Sequence, residues 1–170
     1  DVFSMLLQDE TDRKRSSMAN RRFKSSGVQE RKSMEDFDWS FNPKLPKKEC
    51  FELLALKFIK EGENALLIGH PGTGKSHLAK AIVQMATDRE YKVLYREAHI
   101  LFEELFSATQ LKNRKRVHQN LVRADLLVID DLFLRTRVAD EAADNLQEII
   151  MDRYTARKST LITSNRIIED

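Results

Sequence analysis

The segment ALLIGHPGTGKSHLA at residues 65–79 decides the fold. It opens with a short, wholly apolar run at 65–68, which is typical of a parallel strand covered on both faces. Residues 69–76 then match the phosphate-loop pattern G-x-x-x-x-G-K-[ST] at every position. Apolar residues at helical spacing over 75–87 predict a helix directly after the loop. This order predicts a phosphate-binding turn between a buried strand and an amphipathic helix.

The residue types of this loop suit the triphosphate of ATP. Glycines permit positive φ and bring backbone N–H groups close to phosphate oxygens, and a helix N-terminus adds positive potential. We expect Lys75 to bridge the β- and γ-phosphates and the Ser76 hydroxyl to ligate Mg²⁺. A chance glycine-rich turn is the alternative, which the complete match disfavours. The predicted nucleotide-binding residues are Gly69, Pro71, Gly72, Thr73, Gly74, Lys75, Ser76 and His77.

A second apolar run, residues 126–129, ends in the carboxylates of Asp130 and Asp131. In a P-loop fold we expect such a strand to lie beside the phosphate-loop strand, so that Asp130 would reach the magnesium ion, usually through water. Because side chains alternate along a strand, Asp131 would point to the other face and could act as a general base on the attacking water. An ordinary Asp-rich turn at a strand end is the alternative.

The run TLITSN at 160–165 is apolar and then abruptly polar. An amide at this strand tip could hold the attacking water or contact the γ-phosphate, although Asn is also common in plain turns. Together with the two preceding motifs, this makes Asn165 a candidate sensor. The predicted catalytic residues are therefore Lys75, Asp131 and Asn165, and the predicted magnesium ligands are Ser76 and Asp130.

Strands separated by helices predict a three-layer α/β fold with a parallel sheet. The expected strands are 65–68, 92–95, 126–129 and 160–163, and the expected helices are 49–60, 75–87, 98–108 and 140–156. A basic, mainly helical segment at 1–34, with a short helix near its start, and an aromatic linker at 35–48 precede the core at 49–170. The 170 residues include a single cysteine, Cys50, and no apolar run long enough to span a membrane, which favours a cytoplasmic protein.

The ordered motifs resemble those of AAA+ ATPases of the DnaC/IstB branch. MEDFDW at 34–39 is similar to the linker that precedes the core of IstB-like proteins. LIGHPGTGKSHLA at 67–79 resembles that family's LLIGPPGTGKTHLA, and DRY at 152–154 with TSNR at 163–166 resembles its ERY…TSNR. The resemblance covers about residues 30–170.

This resemblance implies a helper ATPase of insertion-sequence transposition. Such a protein binds duplex DNA, assembles on it into an ATP-dependent oligomer and delivers target DNA to a cognate transposase. It also implies the AAA+ strand order 5-1-4-3-2. Since the chain begins at Asp1 and stops after a strand-like run, we expect a C-terminally truncated core without fifth strand, arginine finger or sensor 2, and weak or no ATP turnover.

Two basic stretches could contact DNA phosphates. Residues 11–32 carry eight Lys or Arg against two acids, and residues 112–123 carry five and no acid. A solvated charged surface is the alternative. The candidate contacts are Arg13, Arg15, Arg21, Arg22, Lys24, Arg114, Lys115 and Arg116.

Some features leave alternatives open. Phe133 stands where many relatives have glycine, so we expect a different loop there. Arg153, near the end of a helix, is expected either to face a neighbouring subunit or to be solvated. A replicative helicase loader of the DnaC kind shares the same core, and a small-molecule kinase shares the same loop, although two adjacent carboxylates favour water as the nucleophile.

Overall fold

The computed structural model describes residues 2–40, 42, 45–132 and 139–165. Within these ranges, no helix is long and apolar enough to cross a membrane. The helices are α1 Val2–Ser26, α2 Lys47–Leu54, α3 Lys57–Glu61, α4 Lys75–Asp88, α5 Ala98–Gln110, α6 Arg114–Arg123 and α7 Asp140–Thr155. The strands are β1 Ala65–Ile68, β2 Val93–Glu97, β3 Leu126–Leu132 and β4 Ser159–Ser164.

The four strands form one parallel sheet in the order β1-β4-β3-β2. Ala65 of β1 pairs with Leu161 of β4, and Val93 of β2 pairs with Leu126 of β3. This is the order 5-1-4-3-2 without its first member, so the expected strand order is confirmed for the described part of the chain. All four predicted strands are present.

Alternation along β3 divides the core into two layers. Leu126 and Val128 point into the cluster formed with α1–α4, whereas Leu127 and Ile129 point into the cluster formed with α5–α7. All four side chains are fully buried. A strand that is apolar on both faces therefore has helices on both faces, and the predicted three-layer α/β architecture is confirmed.

Three helical segments differ from the expectation. α1 runs for 25 residues rather than as a short helix, because no glycine or proline interrupts it before Gly27, where φ is +92°. The single helix expected at 49–60 is divided into α2 and α3 by Leu56, which is buried in a left-handed conformation with φ of +62°. α6 forms within the second basic stretch, with Leu121 as its fully buried anchor.

Both expectations for Arg153 are wrong, because its side chain is completely buried. Its guanidinium donates to the carbonyls of Leu121 (2.6 Å), Ala124 (2.9 Å) and Ser159 and to the hydroxyl of Thr160 (3.1 Å). Burial lowers the pKa of Arg153 to about 10, with the more distant Asp125 opposing. The arginine therefore satisfies the carboxyl-terminal carbonyls of α6 and joins that helix to β4. Phe133, Arg166 and the loop expected around Phe133 lie outside the described residues.

Candidate nucleotide-binding site

The predicted site residues meet at the carboxyl edge of the sheet. The expectation that the Asp130 strand lies beside the phosphate-loop strand is wrong, because β4 lies between β1 and β3. All three strands are parallel, so their carboxyl ends still meet at one edge. The N–H of Gly69, which opens the phosphate loop, donates to the carbonyl of Ser164 at 3.2 Å. The loop after β1 is therefore tied directly to the end of β4.

The loop has the backbone shape that its glycines predict. Gly72 and Gly74 have φ of +77° and +90°, and no heavy atom lies within 4 Å of the position that a Cβ at Gly72 would take. The Thr73 hydroxyl closes the turn by donating to the His70 carbonyl at 2.8 Å. The N–H of Leu78 donates to Gly74 at 2.9 Å, so the preceding N–H groups at the start of α4 have no acceptor within the helix. This open helix start suits a phosphate group.

Lys75 lies across this loop. Its ammonium donates to the carbonyls of Gly69 (2.7 Å) and His70 (2.8 Å). Burial lowers the pKa of Lys75, while the nearby charges of Asp131 and Asp130 raise it. A cation held by two loop carbonyls between the loop and two carboxylates is placed to exchange those carbonyls for phosphate oxygens.

Asp130 is the best-connected side chain of the site and is only 2% exposed. The Ser76 hydroxyl donates to its Oδ1 at 3.0 Å, and the Thr163 hydroxyl donates to the same oxygen. The Tyr95 hydroxyl, from the neighbouring strand β2, donates to Oδ2. Burial, followed by this hydrogen bond to the carboxylate, raises the pKa of Tyr95. Sequence reasoning missed Tyr95, because nothing in an apolar strand marks one ring as facing a carboxylate.

The donor set at Asp130 fits Mg²⁺. A serine hydroxyl and a carboxylate are oxygen ligands of the kind that this hard cation prefers, and they are already in contact. Among the residues that the structure describes, no group of three or more His, Cys, Asp or Glu side chains is placed to hold a metal ion. Mg²⁺ is usually bound by one or two carboxylates together with phosphate oxygens and water.

Asp131 does not follow simple alternation along β3. Its φ is +58°, the pairing of β3 with β4 shifts register between Ile129 and Leu132, and its N–H donates to the Thr163 hydroxyl at 2.8 Å. Burial and the adjacent Asp130 raise the pKa of Asp131, while Lys75 lowers it. This irregularity in β3 keeps the Asp131 carboxylate within electrostatic reach of Lys75. A raised pKa suits a general base.

Asn165 lies one residue beyond β4 and is half-buried. It directly follows Ser164, whose carbonyl accepts the Gly69 N–H, so it lies at the same edge as the phosphate loop. Its side chain has no hydrogen-bond partner within the described chain. Its role as a sensor remains a prediction.

The aromatic linker covers the outside of the loop. The His77 Nε2 lies 2.8 Å from the Ser33 carbonyl, and the Phe37 ring meets the His77 ring edge-on at 5.1 Å. A Cβ on Gly74 would lie 2.9 Å from the Phe37 ring. The His77 side chain therefore holds the linker, and only its backbone N–H remains a candidate phosphate contact.

A cavity of about 1110 Å³ connects the phosphate loop with the end of the linker and with α2. Its walls include Gly69 and Lys75 on one side and Leu45, Pro46 and Cys50 on the other. A largely apolar hollow beside phosphate-binding groups has the character of a pocket for a nucleotide base. Sequence reasoning did not assign these three wall residues, although the proline-containing turn was visible.

The predicted DNA contacts lie away from this cavity. Arg22 is half-buried and donates to the Thr87 carbonyl at 3.0 Å, and Arg114 pairs with Glu148. The remaining six have exposed side chains: Arg13, Arg15, Arg21 and Lys24 on α1, and Lys115 and Arg116 on α6.

Comparison with known proteins identifies related chains. The family described as IstB-like ATP binding protein matches residues 1–170. A Mycobacterium tuberculosis insertion-sequence protein named for ATP binding is 31% identical over 161 residues, which cover 95% of this chain and 64% of the relative. The ATP-binding protein named for insertion sequence IS21 of Pseudomonas aeruginosa is 31% identical over 166 residues, covering 98% and 62%. The chain thus spans just under two thirds of these relatives.

Solved structures share the fold. DnaI aligns with a TM-score of 0.67 and 24% identity over 81% of this chain and 73% of its own. The DnaC helicase loader aligns with a TM-score of 0.62 and 23% identity over 74% and 73%. DnaA from Aquifex aeolicus, solved with AMPPCP, aligns with a TM-score of 0.67 and 22% identity over 79% and 42%. The sheet is therefore that of a AAA+ P-loop NTPase.

Proposed function

The chain belongs to the family of IstB-like ATP-binding proteins, and from this premise we propose that it binds and hydrolyses Mg-ATP as a DNA-bound helper of transposition. The observation that carries the nucleotide part is the 3.0 Å contact between Ser76 and Asp130. These residues are 54 positions apart, and a hydroxyl beside a carboxylate at the start of α4 is the arrangement that a magnesium-bound triphosphate requires.

Each side chain at this edge has a distinct task in the proposed reaction. Lys75 leaves its loop carbonyls to neutralise the phosphate oxygens. Ser76 and Asp130 would hold Mg²⁺, which when bound would neutralise charge on the phosphates. Asp131 accepts a proton from the attacking water, and Asn165 orients that water. The linker and the apolar cavity wall exclude solvent from one side of the site.

Calorimetry with Mg-ATP tests the nucleotide part. We expect Lys75→Ala to weaken binding by about 100-fold, because charge-assisted contacts with the phosphates are lost. Lys60→Ala, an exposed lysine on α3, is the matched control and should bind like the parent chain. Circular dichroism should show that both variants are folded. If the heat of Mg-ATP binding to Lys75→Ala is nevertheless unchanged, the nucleotide part of the proposal is refuted.

We also propose that ATP-dependent assembly takes place on duplex DNA and presents that DNA to a transposase. Support comes from relatives named for insertion sequences and from the exposed cations of α1 and α6. Analytical ultracentrifugation on a duplex should show larger complexes with a non-hydrolysable ATP analogue than with ADP. The transposase encoded with a relative should be retained by those complexes, and retention independent of DNA and nucleotide would contradict delivery.

The two alternatives make different predictions. This chain shares its fold with DnaI and with the DnaC helicase loader. Both are less than 25% identical to it, so these similarities show the fold alone. The full-length family match and identities of 31% support the insertion-sequence assignment instead. Retention of a replicative helicase rather than a transposase would reverse this choice. Labelled ATP should yield free phosphate, whereas a kinase would yield a phosphorylated metabolite.

A further inference from the structure

The edge of the sheet opposite to the nucleotide site carries a second cluster of functional groups. α4 begins at the phosphate loop and runs for 14 residues, about 20 Å, so its end lies at the amino edge of the sheet. There the backbone N–H of Lys92 donates to Asp125 at 2.9 Å, and the Ser159 N–H donates to the Asp125 carbonyl at 3.2 Å. The amino ends of β2, β3 and β4 thus form one row, with the α4–β2 turn, residues 89–92, at its outer end.

Both basic helices touch this turn or the residues beside it. From α1, the Arg22 guanidinium donates to Thr87 and lies 4.0 Å from Glu90. From α6, the Asn120 side chain accepts a hydrogen bond from the Lys92 ammonium at 3.3 Å. Two basic stretches that are about 90 residues apart in sequence are therefore brought to the same corner of the fold.

A groove of about 420 Å³ lies on the α6 side of the turn. Its cations come from Lys92, Arg116 and Arg123, and the last two are seven residues apart, two turns along one helix face. Its one acidic lining residue, Glu104, already pairs with Arg96 at 2.9 Å. Within the described chain, Arg116 and Arg123 have no ion-pair partner, so the groove carries uncompensated positive charge.

On the α1 side, the exposed cations Arg21 and Lys24 flank the anchored Arg22. Neither has an ion-pair partner among the residues that the structure describes. We propose that these two side chains and the groove form one phosphate-binding surface for duplex DNA, which we call the amino-edge surface. This inference rests on the proposed DNA-bound function and assigns it a location.

The chemistry of the amino-edge surface favours the backbone of a duplex over other partners. Apart from Glu104, which pairs with Arg96, and the apolar Val117, the groove lining is cationic or amide, whereas protein interfaces are built on apolar and aromatic anchors. Single strands are held by stacking on exposed rings. Here the aromatic side chains of the turn and of the adjoining part of α1, Tyr91 and Phe23, pack against the core. Cationic side chains without neighbouring aromatic rings suit contacts with the phosphates of a duplex, which do not depend on the base sequence.

The surface differs from the predicted set of DNA contacts. Arg114 is engaged by Glu148 and Arg22 by Thr87, so their charges are partly committed within the fold. Arg123 and Lys92, which sequence reasoning left out of that set, take their place in the groove. Lys92 could not be found from charge runs, because it is an isolated lysine in front of a strand.

Salt-dependent binding of the full chain to a fluorescent duplex tests the inference. Arg116→Gln/Arg123→Gln should reduce the slope of log affinity against log salt by about two, and weaken binding by roughly 10- to 100-fold at 0.1 M salt. The control is Lys48→Gln/Lys60→Gln, which removes the same charge from exposed positions on α2 and α3, beside the opposite edge strand β1. Its affinity should stay within about twofold of the parent.

The possible results separate the surface from the proposed function. Equal effects of the two double variants, or an unchanged slope for Arg116→Gln/Arg123→Gln, would overturn the amino-edge surface while leaving DNA binding intact. A stronger preference of the parent for single-stranded DNA would also overturn it. If the parent chain binds no duplex at low salt, the DNA part of the proposed function fails instead. An additional loss on Arg21→Gln/Lys24→Gln would extend the surface to α1 as proposed.

Discussion

At the scale of single residues, the site depends on how Asp130 is held. Two hydroxyls, from Ser76 and Thr163, converge on Oδ1, while the Tyr95 hydroxyl engages Oδ2. A buried carboxylate with both oxygens bound has one available orientation. We infer that Tyr95 is a positioning residue, because its hydrogen bond to Oδ2 fixes which oxygen of Asp130 faces Ser76.

Tyr95→Phe should weaken the magnesium dependence of nucleotide binding. The variant keeps the ring but leaves Oδ2 without its donor, so Asp130 can rotate, and a hydrogen bond to a charged group is worth about 1.5–3 kcal/mol. We expect half-maximal ATP binding to need about tenfold more Mg²⁺, with little change in metal-free binding. Titration of Mg²⁺ at fixed ATP measures this shift. Tyr91→Phe is the control, and superimposable curves for both variants would exclude the positioning role.

Asp131→Asn should stabilise the protein at neutral pH. Folding raises the pKa of Asp131, so the folded state favours its protonated form. Protonated Asp131 therefore stabilises the folded state. This stabilisation is complete at a pH below the pKa of the unfolded state and is lost as the pH rises through the pKa of the folded state. At pH 7 the ionised carboxylate is therefore unfavourable, and the neutral amide removes this penalty. Thermal unfolding should show a higher Tm than the parent at pH 7 and a smaller difference near pH 4; Asp144→Asn on α7, an exposed site, should show neither.

At the scale of elements, strands and helices differ in how fully the sequence specifies them. β1, β3 and β4 were predictable because their apolar runs end in residues with recognisable chemistry. The division between α2 and α3 was not, since Leu56 adopts φ of +62° to become 2% exposed, and only tertiary packing favours that conformation. Asp130, Ser76 and Lys75 followed from motif spacing, whereas Tyr95 depends on the pairing of β2 with β3.

Arg153 shows the same limit on α7. Near the end of a polar helix, an arginine that points inward has the same local sequence pattern as one that points to solvent. Its direction is set by the unsatisfied carbonyls at the end of α6, more than 25 residues earlier in the chain. The sequence neighbourhood of Arg153 therefore contains no signal for its role.

Arg153→Met should destabilise the fold severely. The replacement fills similar space but leaves the carbonyls of Leu121, Ala124 and Ser159 buried without donors. Each unsatisfied group costs about 1–3 kcal/mol, so we expect a loss of at least about 3 kcal/mol in the free energy of unfolding. Urea denaturation measures it. Arg123→Met changes an exposed arginine of α6 in the same way and should cost less than about 0.5 kcal/mol; similar losses in both would contradict the role assigned to Arg153.

At the scale of the whole molecule, the sheet lies between the two proposed binding sites. The carboxyl edge holds Lys75, Asp130 and the cavity of about 1110 Å³ beside the phosphate loop, and the amino edge holds the cations of α1 and α6. α4 and β2 connect these edges, and Ser33, just before the linker, contacts His77 at the nucleotide side. Since the two sets share no side chain, each ligand should bind a separate part of the surface of one chain.

Independence of the two edges can be measured with a double-mutant cycle. Without nucleotide, Lys75→Ala should leave duplex affinity unchanged, and Arg116→Gln/Arg123→Gln should leave the heat of Mg-ATP binding unchanged in the absence of DNA. Sites farther apart than about 10 Å with no shared partner are additive within about 0.5 kcal/mol, and α4 separates these by about 20 Å. Combining all three substitutions should therefore give the sum of the separate losses. A deviation above 1 kcal/mol at low protein concentration, where assembly is absent, would mean that phosphate loop and amino-edge surface are coupled within a single chain.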